Sequence, residues 1–145
     1  MPRNYTVQTR IGHPIGDVYD AIVSADQLNR YFTNRTSGDL TEGAEIVWHW
    51  DHYGDNPVTV KTLEPPSRIV LALDSMAWAK TTEPYKVLVI FELETLEGGD
   101  TMLCISEEGW ETDGPGLKAS HENCSGWTHM AMCLKAYLEH GLDLR

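Results

Sequence analysis

Basic side chains are scarce in this chain: eleven Lys and Arg stand against 22 Asp and Glu, a formal charge of −11 over 145 residues. That charge repels phosphate backbones and anionic lipid surfaces, so no nucleic-acid partner is expected. Long apolar runs are also missing. The longest, near residues 87–91, is too short to cross a bilayer, and the opening MPRNYTVQTR lacks the apolar core of a signal peptide. No membrane insertion and a cytoplasmic location are the expectations. Cysteine is limited to Cys104, Cys124 and Cys133, an odd number set within hydrophobic periodicities, which reads as buried thiols in a reducing compartment. Cys124 and Cys133 share one predicted helix and would lie about 13 Å apart along its axis, too far to be bridged. Internal repeats and low-complexity tracts are absent. The length fits one domain, residues 1–145, burying roughly two-thirds of the surface of its unfolded form.

What is present is a long carboxy-terminal helix preceded mostly by strands. Over residues 120–141 a helical period gathers Asn123, Cys124, Trp127, Met130, Ala131, Leu134, Tyr137 and Leu138 on one face, with Thr128, Lys135, Glu139 and His140 opposite. Ser120 and Glu122 suit its amino-terminal end, and a helix this long needs a large apolar bed. Residues 5–11 alternate as a half-buried strand. Pro14 then introduces a helix carrying Ile15, Val18, Tyr19 and Ile22 on one face. The Ser24 and Gln27 spacing starts a second short helix, bringing Leu28, Tyr31 and Phe32 together.

Residues 34–43 read as a connection. Residues 44–53 form a strand with Ile46, Trp48 and Trp50 on one face, residues 54–57 a turn, and residues 58–64 the returning strand. Residues 68–74 form a further strand, and residues 75–85 fit either its continuation or a loop. Residues 86–96 and 101–110 make the clearest hairpin, with Leu103, Ile105 and Glu107 on its inward row. Residues 111–118, containing Gly114, Pro115 and Gly116, read as a loop into the last helix. The fold class is α+β: a curved antiparallel sheet of about six or seven strands wrapped around the terminal helix, with two short helices after the first strand.

The segments RIGHPIGDVYDAIVSADQLNRYF, GGDTMLCISEEGW and GWTHMAMCLKAYLEHG, in this order, resemble the START-like superfamily of helix-grip folds, also called SRPBCC or birch-pollen-allergen-like domains. Within it the match is to the AHSA-type domain, named for activators of the heat-shock-protein ATPase. Two stretches depart from the family pattern. IVWHWDHYGD is richer in Trp and His, and SMAWAKTTEP has no counterpart, so both are candidate pocket specialisations.

The resemblance implies a cavity between sheet and terminal helix and, with it, a small hydrophobic molecule as partner. Tyr31, Phe32, Trp48, Trp50, Leu103, Ile105, Trp127 and Met130 are the candidate lining, against the alternative that they interdigitate and leave no void. Glu107 is the one inward carboxylate, either a buried acid or anchor for a ligand, or a solvated residue at the sheet margin. Catalysis through such a polar cavity residue, as in superfamily cyclases and hydrolases, is a second reading. A chaperone-interacting module is a third, and pairing into a homodimer remains open. No metal or cofactor is assigned. His49 and His52 fall on opposite faces of a strand, and His129 with Cys133 has no third ligand. Nothing places a base beside Cys104, Cys124 or Ser106 for nucleophilic chemistry, and the glycines at 109, 114 and 116 lack dinucleotide-binding spacing.

Overall fold

The structure is a computed structural model that describes residues 2–79, 81 and 83–145. Positions 80 and 82, in the stretch that fitted either strand or loop, lie outside the described residues. The elements in order are β1 (Arg3–Ile11), α1 (Ile15–Val23), α2 (Ala25–Tyr31), β2 (Arg35–Thr36), β3 (Glu45–Trp50), β4 (Gly54–Glu64), β5 (Arg68–Asp74), α3 (Ser75–Trp78), β6 (Lys86–Thr95), β7 (Thr101–Glu108) and α4 (Gly114–His140). The strands form one seven-stranded antiparallel sheet in the order β1-β7-β6-β5-β4-β3-β2. Register shifts in β1 between Arg3 and Tyr5 and in β4 between Val60 and Thr62 add local twist to the sheet.

Alternation along β1, β7 and β6 puts matched residues in inward rows. Val7, Ile105 and Phe91 form one row, Thr9, Leu103 and Leu93 another, and Tyr5, Glu107 and Val89 a third. These rows share a continuous core with Trp127, Met130, Ala131 and Leu134 of α4. The helix-grip architecture read from the sequence is therefore the observed one.

Several boundaries differ for local reasons. Helix α4 starts at Gly114, so the Gly-Pro-Gly segment is its first turn and not a loop: Pro115 needs no N–H partner there and its fixed φ suits a helix. Ser120, expected as a cap, lies inside the helix, buried, with its hydroxyl donating to the Leu117 carbonyl at 2.9 Å. Cys133 turns into the core, as the reading of buried thiols expects. The β3–β4 turn falls at residues 51–53, and the 54–57 segment already pairs with β3, Pro57 opposite Val47. Part of the 34–43 connection pairs as β2, and residues 75–78 form the short helix α3.

Both sheet edges are blunted. Along β1, Lys135 Nζ donates to the Arg10 carbonyl at 2.6 Å, and Glu139 Oε2 accepts from Gly12 N–H at 2.9 Å, so α4 covers this edge. The opposite edge strand, β2, has only two residues.

Where β7 hands over to α4, Gly109 adopts φ +108°, and a Cβ there would lie 2.9 Å from the Lys86 carbonyl oxygen. Both facts require glycine. Gly109→Ala is expected to lower stability by about 1–3 kcal/mol in urea unfolding, because the left-handed strain and the backbone clash act together.

Candidate functional site

Between sheet and helix the aromatic side chains meet. Trp48 lies 6.3 Å from Trp127 and 6.2 Å from Trp50 between ring centroids, and Phe32 lies within 5.8 Å of all three. Phe91 backs Trp127 at 5.5 Å, and Trp78 of α3 stands edge-on to Trp50 at 6.1 Å. The cluster thus runs from the buried Trp48 and Trp127 outward to Phe32, Trp50 and Trp78, which are partly exposed. Two indoles have fixed acceptors: Trp50 Nε1 donates to the Phe32 carbonyl at 2.7 Å and Trp78 Nε1 to the Pro57 carbonyl at 3.0 Å. Trp48 is different. Its side chain is 1 % exposed, and its Nε1 proton has no acceptor among the described residues. An unpaired donor in an apolar interior costs free energy and calls for an explanation.

The other predicted lining residues take separate positions in the same core. Leu103, Ile105 and Met130 fill the space under α4. Tyr31 stacks on Tyr137 at 5.1 Å and donates its hydroxyl to the Ala21 carbonyl at 2.9 Å, tying α2 to α1 and α4. Burial holds its phenol well above the ordinary range.

Glu107 is fully buried, not marginal and solvated. Trp110 Nε1 donates to Oε1 at 2.8 Å, Trp127 Nε1 to Oε2 at 3.0 Å, and Asn123 Nδ2 reaches both oxygens at 3.3 and 3.1 Å. The inward alternation of β7 aims the carboxyl, and the i, i+4 spacing of Asn123 and Trp127 brings two donors from one face of α4. Tyr5, opposite Glu107 in β1, is close enough for burial and the carboxylate to push its phenol far upward, although its hydroxyl makes no hydrogen bond of good geometry. Burial raises the Glu107 carboxyl above the usual carboxylate range, and the surrounding N–H donors offset this only in part. Sequence reasoning missed Tyr5 and Trp110 as members of the site and offered Trp78 only within the SMAWAKTTEP stretch. Asn123, a polar residue on the apolar helix face, was the available signal.

The sign of the pH effect follows from that raised value. The folded state holds the Glu107 proton more tightly than the unfolded state, so this group's contribution is fully present below pH about 4.5 and lost as pH rises through the folded value. The stability of the native protein relative to Glu107→Gln is therefore expected to increase on acidification from neutral pH toward 4.5, measured by paired urea titrations.

Other chemistry-bearing groups do not converge. The His49 ring lies between two carboxylates, Nδ1 at 2.7 Å from Asp55 and Nε2 at 3.1 Å from Asp51, so the two acids flank the ring from opposite sides and the three groups do not face one point. Cys133 Sγ is 3.4 Å from His129 Nε2. Among the described residues no three His, Cys, Asp or Glu side chains are gathered as a metal would require. A cleft of about 440 Å³ lies on the outer side of the sheet beside Arg3, Gln8, Arg68 and Cys104. One of about 560 Å³ lies between Asn4, Tyr5, Trp110 and the start of α4. Neither is lined by Phe32, Trp48, Trp50, Trp78 or Trp127. No described helix is long and apolar enough to cross a membrane.

This sheet, helix and core agree with the comparisons. The family described as "Activator of Hsp90 ATPase homolog 1-like protein" matches residues 12–139. The chain belongs to this family. It is an AHSA-type domain of the START-like class, and three solved structures of that shape illustrate it. The Aha1 dimer from Colwellia psychrerythraea superposes with a TM-score of 0.79 at 21% identity, covering 97% of this chain and 98% of that one. A Mesorhizobium loti protein gives 0.78 at 17% identity, with 93% and 96% covered. A Staphylococcus saprophyticus protein gives 0.75 at 21% identity, with 97% and 94% covered. At these identities the likeness is one of fold. No curated protein matches the chain.

Proposed function

We propose that this AHSA-type domain binds a small, largely apolar ligand bearing one hydrogen-bond-accepting oxygen, between the sheet and α4. Phe32, Trp48, Trp50 and Trp127 are its walls. Trp48 Nε1 is the observation that carries the reading: a buried donor without an acceptor, inside an aromatic cluster that continues to the surface through Trp50 and Trp78. Apolar walls with one or two placed polar groups are the usual make-up of a small-molecule site. The rings contact one another at centroid separations of 5.0–6.3 Å, so the ligand enters by displacing the partly exposed side chains, and its oxygen satisfies the Trp48 proton. Glu107 contributes by holding Trp127 in place. Its acceptor positions are taken by fixed donors, which favours anchoring over the cyclase- or hydrolase-type role. The three free thiols support a reducing, cytoplasmic setting.

The test uses 2-acetylnaphthalene and its hydrocarbon analogue 2-isopropenylnaphthalene in thermal unfolding. A probe present at about 100 times its Kd stabilises by about 2.7 kcal/mol, a rise in Tm of roughly 5–10 °C for a domain of this size. The ketone is expected to give the larger rise, and Trp48→Phe to abolish the difference between the two probes. Equal shifts, or none from either probe, would refute the reading. A second reading rests on the family description, which names activation of the Hsp90 ATPase. It makes the domain a chaperone-interacting module, alone or as a homodimer, and co-sedimentation with the chaperone would test it.

A further inference from the structure

We infer, building on the ligand reading above, that the ligand is uncharged at its buried end, so that the site accepts ketone, ester or ether oxygens and rejects carboxylate- or phosphate-headed molecules. Among the described residues the one fully buried charged side chain is Glu107, an acid. Its carboxyl accepts the Trp127 indole proton at 3.0 Å, and Trp127 in turn lies 6.3 Å from Trp48. An anionic head placed at Trp48 Nε1 would find no buried cation among the described residues to balance it, and wherever Glu107 is ionised it would also meet a like charge one indole away. An unpaired ion in such surroundings is strongly disfavoured, whereas a neutral carbonyl needs only the single N–H that Trp48 offers.

Two cations near the cluster are already engaged. Arg145, below the end of α2, gives Nη1 to the Thr33 carbonyl at 2.7 Å and pairs with both oxygens of Asp143. Lys86 lies 3.8 Å from Asp74 beside α3. The whole chain's charge of −11 adds a longer-range repulsion of anions.

Wild-type protein is titrated with methyl 2-naphthoate and with 2-naphthoate at about pH 7.5, followed by tryptophan fluorescence, at about 20 mM and 300 mM salt to separate screened surface charge from the interior. The ester is expected to bind at least about tenfold more tightly, with the ratio preserved at high salt. Binding of the anion as tightly as the ester would overturn the inference and leave the ligand reading standing. A preference lost at high salt would assign the discrimination to the surface and overturn it too. Binding of neither probe would remove the ligand reading, and this inference with it.

Discussion

Glu107→Ala lowers the unfolding free energy by about 3–5 kcal/mol. The substitution leaves two buried donors, Trp110 Nε1 and Trp127 Nε1, and the half-buried Asn123 Nδ2 without the oxygens they now reach at 2.8–3.3 Å. Each unsatisfied buried donor costs about 1–3 kcal/mol, and relief of the buried carboxyl's own desolvation offsets part of the sum. Glu107→Gln keeps the shape and one acceptor but turns an amide N–H toward donors, so a smaller loss of about 1–2 kcal/mol is expected. Urea unfolding of both variants measures the effect. A loss below about 1 kcal/mol in Glu107→Ala would mean that the cage around the carboxyl contributes little.

Trp127→Ala is expected to cost about 3–5 kcal/mol, the range for truncating a buried aromatic. Trp127 packs against Phe32, Trp48 and Phe91 at centroid separations of 5.8, 6.3 and 5.5 Å, and its indole proton ties α4 to β7 through Glu107. Trp127→Phe separates these two roles. It retains most of the packing and removes the hydrogen bond, so about 1–2 kcal/mol should be lost. Because Trp127 and Glu107 touch, the double variant Glu107→Ala with Trp127→Phe should lose less than the sum of the single losses, a coupling read from a double-mutant cycle. Additive losses would show that the bond between α4 and β7 is not a stabilising link.

The parts of the architecture legible in the sequence were those written in periodicity. The two-residue alternation of Val89, Phe91 and Leu93 against Leu103 and Ile105 gave the hairpin and its inward face. The helical spacing of Trp127, Met130, Ala131 and Leu134 gave the buried face of α4. The start of α4 was not legible, because Gly114, Pro115 and Gly116 carry turn chemistry in isolation and form a helical turn only once the chain continues them. The setting of Glu107 was half legible. Alternation pointed it inward, but its burial depends on Trp110, three residues on, and Asn123 of α4, 16 residues on, folding back over it. Composition argued for solvent because glutamate seldom goes inside without partners. The missing acceptor at Trp48 could not be read at all, since a hydrogen-bond deficit is a property of three-dimensional neighbours.

The decisive measurement is a nuclear magnetic resonance titration of the five tryptophan indole N–H signals with 2-acetylnaphthalene, assigned by single Trp→Phe variants. An oxygen accepting from Trp48 Nε1 moves that proton downfield to saturation, with smaller ring-current shifts at Trp50 and Trp127 and little change at Trp110. A Trp48 signal that stays in place while the ketone binds, or shifts confined to Trp110 beside the cleft at the start of α4, would contradict the account.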